Sequence, residues 1–321
     1  MFIFLLLIPN VIVMTTRQIE LFQRSLKIIA GIGTTSLFCL NVGPHLFPKQ
    51  SVDLVHSLSP SSSRHVDPRY KNILKETCKL MDIDVNKVDL THSKTLNTVS
   101  AGCLLFPNKA VVVLPRNALY THPNHLIHAG IHFNNNKPVD WNSKTGDVLK
   151  ETLILNDDEI KFLIGHELSH IKDMHFLAIT AHGVGLFYMF YKLGTFGPRL
   201  LRKPLGLASH IGLTMAVWLL GAPVYYMSKR PLAHYMEFSA DETSAKLGEY
   251  YCSGGISYTR KKLKLNRVLR ATTEDGLETY SKLGNHKKMA NMFSHPKRTE
   301  RLKKLKEINV SLYGGLESQV L

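Results

Sequence analysis

The chain has 321 residues, with 40 Lys and Arg against 25 Asp and Glu, a net charge of +15 and a pI near 9.6. That length accommodates one large domain or two small ones with ample core. The basic balance would suit nucleic acid, yet no zinc-finger, RNP or glycine-rich RNA motif appears, so no nucleic-acid partner is expected and an anionic lipid surface is preferred.

In chain order, Met1 to Met14 is an apolar run broken by Pro9-Asn10, without the basic start of a signal peptide. Starting at Met14 instead, the chain opens amphipathic and basic. Residues 1–27 are therefore read as an N-terminal segment whose first thirteen residues are expected to be a gene-model extension. Ile28 to Phe47 carries no charged residue and is long enough to cross a bilayer. Ser59-Pro-Ser-Ser-Ser63 reads as a linker and Asp67 to Leu80 as a helix. His122, His125, His128 and His132 form a spaced cluster of polar-loop type within an irregular stretch, Thr121 to Lys150. Cys39, Cys78, Cys103 and Cys252 have neither zinc-thiolate nor disulfide spacing and are expected to be free packing thiols.

The most informative residues are His166-Glu-Leu-Ser-His170. Asn156 can cap a helix there, and Asp157, Asp158 and Glu159 favour the positive end of its dipole. On that helix His166 and His170 share a face, able to converge on one ion, with Glu167 beside them as a general base. Such pairs hold Zn2+ with one further protein ligand and a water. The short metzincin spacing would place a third histidine where Phe176 stands. The better candidate is Glu237, with Asp241 one turn on to hydrogen-bond a ligand histidine and fix its tautomer.

Two further apolar segments separate these halves. Phe176 to Phe196 is expected to be transmembrane or re-entrant, with Lys192 snorkelling. Leu205 to Ser228 is expected to span, with Tyr225 and Tyr226 at an interface. Arg17, Arg24 and Lys27 precede the first span, and Arg199, Arg202 and Lys203 fill the loop at 198–204. Positive residues stay on the non-translocated side, so three spans place 48–175 and 229–321 together on the other. Arg260 to Arg270 mixes apolar and basic positions at helical spacing and is read as a solvated helix face.

Leu155 to Ile171, with Glu237 to Asp241, resembles the core of membrane-bound zinc endopeptidases of the CAAX-prenyl-protease, HtpX and Oma type. The resemblance implies a mainly α, gluzincin-like membrane metallopeptidase with a small β-sheet and about three transmembrane helices. It implies one Zn2+ on His166, His170 and Glu237, with Glu167 catalytic. In those enzymes a late His-Pro followed by an Arg lies near the cleft and polarises the substrate carbonyl, which implies that role for His295 and Arg301. Asn97 to Gly102 and Ala110 to Leu114 resemble the strand pair preceding the zinc helix. Ala110 to Leu114 is expected to bind substrate by edge addition.

Pro44 to Pro48, Val99 to Gly102, Val139 to Trp141 and Tyr251 to Gly255 resemble, in order, segments of the transmembrane protein 177 family. That resemblance implies the mitochondrial inner membrane, with the metal site facing the intermembrane space. It implies cytochrome c oxidase subunit 2 and its assembly factors as partners. Vertebrate members are expected to lack the zinc motif, so the alternative to a peptidase of membrane-protein substrates is a non-catalytic assembly factor.

Overall fold

The computed structural model describes residues 16–57, 66–131, 138–200, 207–288 and 295–314. The expected extension before Met14, the linker at 59–63, His132 and the loop residues Arg202 and Lys203 lie outside them. The chain divides into two units. One contains the apolar helices (1–42 and 177–229), the other the stretches 43–176 and 230–321.

The first unit is helical because its segments are apolar, with their backbone hydrogen bonds satisfied internally. α1 (Thr16–Leu46), α7 (His175–Leu200) and α8 (Leu207–Ala245) contribute to it. Each includes a stretch long and apolar enough to cross a membrane: Glu20–Leu46, His175–Phe196 and Ile211–Ala245. Large apolar side chains such as Leu40, Leu219 and Met227 are more than 70% exposed, as lipid-facing residues require. Phe187 meets Trp218 edge-on at 4.9 Å, and Thr214 donates to the Gly194 carbonyl at 3.0 Å. Lys192 lies over the rings of Tyr188 and Phe196, so its charge is accommodated by aromatic faces. At 39 residues, α8 is far longer than the expected span, and its last turns carry Glu237 and Asp241 into the second unit.

The second unit packs helices around a small mixed sheet. After α2 (Pro48–Ser57), α3 (Pro68–Leu80) occupies the expected helical stretch, capped by Asp67 with Pro68 at its first position. The strands are β1 (Val88–His92), β2 (Val99–Ala101) and β3 (Ala110–Leu114), in the order β1-β3-β2. β1 runs parallel to β3 and β2 antiparallel to it. β3 is therefore the central strand, and all five of its residues are buried. This corrects the expectation that Ala110 to Leu114 offers an edge for substrate, because both its sides are already paired. β1 lacks a strong sequence signal, with Asp89 and Thr91 facing outward.

The Thr121–Lys150 stretch is also less irregular than expected. It contains α4 (Pro123–His128) and the start of α5 (Lys144–Leu153). His122 caps α4 through its ring Nδ1, and Ser143 caps α5. α6 (Asp157–Lys172) carries a full capping box, in which Asn156 accepts from the Glu159 amide and Glu159 accepts from the Asn156 amide. Glu159 is fully buried and also accepts from Lys261 at 2.8 Å and Ser257 at 2.5 Å. The chain continues through α9 (Glu249–Thr272), α10 (Gly276–Thr279) and α11 (Arg298–Tyr313). The Arg260–Arg270 stretch lies in α9 and is only half solvated: Lys262, Leu263, Leu265 and Asn266 are buried. Cys78, Cys103 and Cys252 are buried free thiols, whereas Cys39 is exposed.

α6 is fixed by close approach. A Cβ on Gly165 would stand 2.5 Å from Ser244 Oγ, and one on Gly254 would overlap the Asp158 carbonyl. α9 therefore crosses the start of α6 only because residues 254 and 255 have no side chain. We expect Gly254→Ala to cost about 1–3 kcal/mol, because backbone rather than a flexible side chain must yield. Thermal unfolding in detergent checks this, and an unchanged melting temperature would contradict the packing.

Candidate metal centre

The centre is built from three elements of the second unit. α6 presents His166 and His170 on one face, and the end of α8 presents Glu237 and Asp241. α11 and the residues leading into it bring His295 and Arg301. One donor atom from each of His166, His170 and Glu237 lies within 4.8 Å of the others. Of the sequence-predicted site residues, Glu167, His295 and Arg301 line the same cavity as these three, and Asp241 lies behind it, bonded to His166.

Two histidine nitrogens sharing a tetrahedral zinc at about 2.0–2.1 Å would stand roughly 3.3 Å apart. Here the His166 and His170 Nε2 atoms are 3.2 Å apart. Glu237 oxygens lie 3.9 Å from His166 Nε2 and 3.8 Å from His170 Nε2. His166 Nδ1 is 3.0 Å from Asp241 Oδ1, and a proton on that nitrogen would leave the Nε2 lone pair facing the other donors. His170 Nδ1 is 2.7 Å from His175 Nδ1. Two imidazoles and a carboxylate are a zinc donor set, and these residues fit that ion.

The charges are arranged around Arg301. Its Nε and Nη2 donate to the two oxygens of Asp241 at 2.7 and 2.6 Å, and Nη1 donates to Glu237 at 2.9 Å. Burial works against its charge, but the Asp241 and Glu237 carboxylates override it and raise its pKa. His295 Nδ1 is 3.0 Å from the other Glu237 oxygen. Burial lowers the pKa of His166, but the Asp241 hydrogen bond and charge outweigh it and raise the ring. His170 is pushed down to about 3, by burial first and the His166 charge second, and is neutral as a ligand must be.

The sequence reading paired Arg301 with His295 as an oxyanion donor. Its three kinds of nitrogen are all committed to Asp241 and Glu237, so its position is that of a clamp holding ligand and supporting carboxylate together. His295 is more than half exposed and lines the cavity, with Nδ1 against Glu237.

The cavity is about 500 Å³. Asn97 to Ser100, the approach and start of edge strand β2, form part of its lining. Tyr258 of α9, His286 and Arg298 also line it. Sequence reasoning missed these three. The signal for the last two is the run from Tyr280 to Thr299, which contains no Asp or Glu.

The sequence pattern of the Transmembrane protein 177 family matches residues 45–315. The chain belongs to the transmembrane protein 177 family. Transmembrane protein 177 of Xenopus laevis is 26% identical over 282 residues, covering 84% of this chain and 88% of the relative. The protein of that name from Rattus norvegicus is 26% identical, covering 78% and 81%, and that from Danio rerio is 24% identical, covering 79% and 84%. This transmembrane protein 177 relative is thus a membrane protein, mainly helical, with a small three-stranded mixed sheet and three apolar helices suited to spanning.

Two consequences are measurable. Asp241→Asn should weaken zinc affinity by about 10–100-fold, the usual effect of losing a carboxylate that orients a ligand histidine. Competition with a fluorescent chelator, on protein of unchanged helicity, reads this; equal affinity would free Asp241 of that role. In the metal-free protein, His92 and His286 are both lowered to about 4, principally by burial. The unfolded chain takes up protons there below about 6.5 that the folded chain refuses until about 4. Their contribution to stability is therefore intact above pH 6.5 and lost progressively as pH falls from 6.5 toward 4. Urea unfolding at pH 7.5 and 5.0 checks the sign, and His92→Gln should reduce the difference.

Proposed function

We propose that this protein is a membrane-anchored zinc metalloendopeptidase acting on membrane proteins or their membrane-proximal segments. The observation that carries the reading is the convergence of His166, His170 and Glu237, with Glu167 in the same cavity and Asp241 fixing the His166 tautomer. When bound, zinc would supply a Lewis acid and a water acidified to a pKa of about 7. Glu167 accepts a proton at its carboxylate as the scissile carbonyl is attacked, then returns it to the leaving amine. His295 stands at the cavity edge to meet the developing oxyanion, with Nδ1 held by Glu237. Arg301 keeps Glu237 and Asp241 in position. β2 is the free edge beside the cavity, and an extended peptide can add to it through main-chain hydrogen bonds.

In this reading the gluzincin-like fold, the location in the mitochondrial inner membrane and the intermembrane-space orientation are part of the same proposal. The charge pattern of the sequence supports the orientation.

A second reading is favoured by a specific observation. Arg301, Asp241, Glu237 and His295 satisfy one another without an ion, so the centre is also a self-sufficient link between α8 and α11. On that reading the protein is an assembly factor for cytochrome c oxidase subunit 2 that retains a peptidase scaffold.

Zinc content and turnover separate the two. The peptidase reading expects about one zinc per chain in detergent-purified protein, lost in His166→Ala. It also expects Glu167→Gln to retain the zinc while proteolysis falls by at least about 10²-fold. Full complementation of a knockout by Glu167→Gln would assign the cellular role to the scaffold.

A further inference from the structure

His286, His295, Lys297 and Arg298 line one side of the cavity, within a stretch of sequence rich in cations and free of acids. Between Tyr280 and Thr299 the sequence has Lys282, Lys287, Lys288, Lys297 and Arg298, with His286 and His295, and no Asp or Glu. Lys288 is paired with Asp275, and Lys297 reaches Glu300. His295 is held by Glu237. Arg298 is different: it lines the cavity, its Nε is buried, and that atom has no hydrogen-bond partner among the described residues. Near it lies a second buried amine, Lys262, whose Nζ donates to the Leu96 carbonyl, its one acceptor among the described residues, and sits over the Tyr258 ring at 5.6 Å. Burial followed by the Arg298 charge pushes Lys262 down to about 7, and burial lowers Arg298 itself. His286 on the same wall is depressed by burial, then by Arg298 and Lys262.

Glu237 favours the Arg298 charge, but its oxygens are bonded to Arg301 and His295, so the buried Arg298 Nε keeps no acceptor among the described residues and lies beside a second buried amine. An anion supplied from outside would relieve it. α11 begins at Arg298 with no side-chain cap, which adds the positive end of a sixteen-residue helix to the same wall. A guanidinium is a planar fork that matches a carboxylate with two parallel hydrogen bonds. The cavity also lies along edge strand β2, where an extended peptide is the natural occupant.

We propose that Arg298, backed by Lys262, is a carboxylate-receiving subsite of the metal cleft, so that the peptide bound there carries an anionic group. That group is either the chain's own C-terminal carboxylate or an Asp or Glu side chain. The assignment rests on the peptidase reading of the cleft. Arg298 is a specificity residue rather than a member of the hydrolytic set.

The test uses full-length, zinc-supplemented Glu167→Gln protein in detergent, so that binding is read without turnover. Three fluorescein-labelled alanine-rich decapeptides serve as probes: a C-terminal amide, the free acid, and an amide with one central Glu. Fluorescence anisotropy should show one or both anionic forms binding at least about tenfold tighter than the neutral amide, as a charge-assisted hydrogen bond provides. Whichever form gains identifies the source of the carboxylate. Adding Arg298→Gln should remove the preference while leaving neutral-peptide binding in place, and Arg298→Lys should retain part of it. Equal binding of all three peptides, no binding of any of them, or a preference that survives Arg298→Gln would each overturn the proposal. Displacement by micromolar inorganic phosphate would also overturn it, in favour of a general anion site. Failure of the peptidase reading appears separately, as wild-type protein without zinc or proteolysis whose carboxylate preference persists.

Discussion

The guanidinium of Arg301 grips both oxygens of Asp241 and one of Glu237, while Asp241 in turn holds His166. A charge buried this deeply is tolerable only with partners of this geometry, and removing one carboxylate would leave the arginine uncompensated. The same few atoms set the tautomer of His166, the direction of Glu237 and the docking of α11 against α8. Ligand geometry and tertiary packing are therefore one problem in this protein. Arg301 is not reached from the N-terminal side of α6 by any local interaction; it arrives through the C-terminal helix, whose Leu302 and Leu305 are buried in the core of this unit.

The four short segments Pro44–Pro48, Val99–Gly102, Val139–Trp141 and Tyr251–Gly255 have physical content. His45 Nδ1 accepts from the Gly102 amide at 3.1 Å, joining Pro44–Pro48 to Val99–Gly102. Gly102 itself has φ of +104°, and a Cβ there would press on Ala110 Cα at 2.5 Å. Asp140 and Trp141 lie against Gly146 at the start of α5. Gly254 and Gly255 admit α6. At Gly102, Gly146 and Gly254 two backbones approach too closely for ordinary side chains. These are constraints of the scaffold, and they are independent of the metal chemistry.

What the sequence disclosed follows from which interactions are local. His166, His170 and Glu167 were legible because helical spacing alone puts them on one surface, and Asn156 with Glu159 because a capping box spans three residues. The three apolar helices were legible from composition over about twenty residues each. Strand order was not: whether Ala110–Leu114 lies at the edge or the centre depends on β1, whose outward Asp89 and Thr91 weaken its pattern. Arg301 was legible as a residue near the cleft, but its bonds to Asp241 and Glu237 were not, since only tertiary geometry says which acceptor a guanidinium meets. Tyr258 comes from α9 and His286 and Arg298 from one acid-free run, and no spacing links that run to Tyr258 or to the histidine pair.

The metal centre is split along the chain, with two apolar helices between its halves. A nascent chain that has emerged only as far as His170 holds His166, Glu167 and His170 but neither Glu237 nor Asp241. Nothing yet fixes the histidine tautomer, and no clamp orders the third ligand until α11 has been synthesised and docked. The order of synthesis thus delays the cluster: its five side chains can come together only after α11 has been translated and docked against α8.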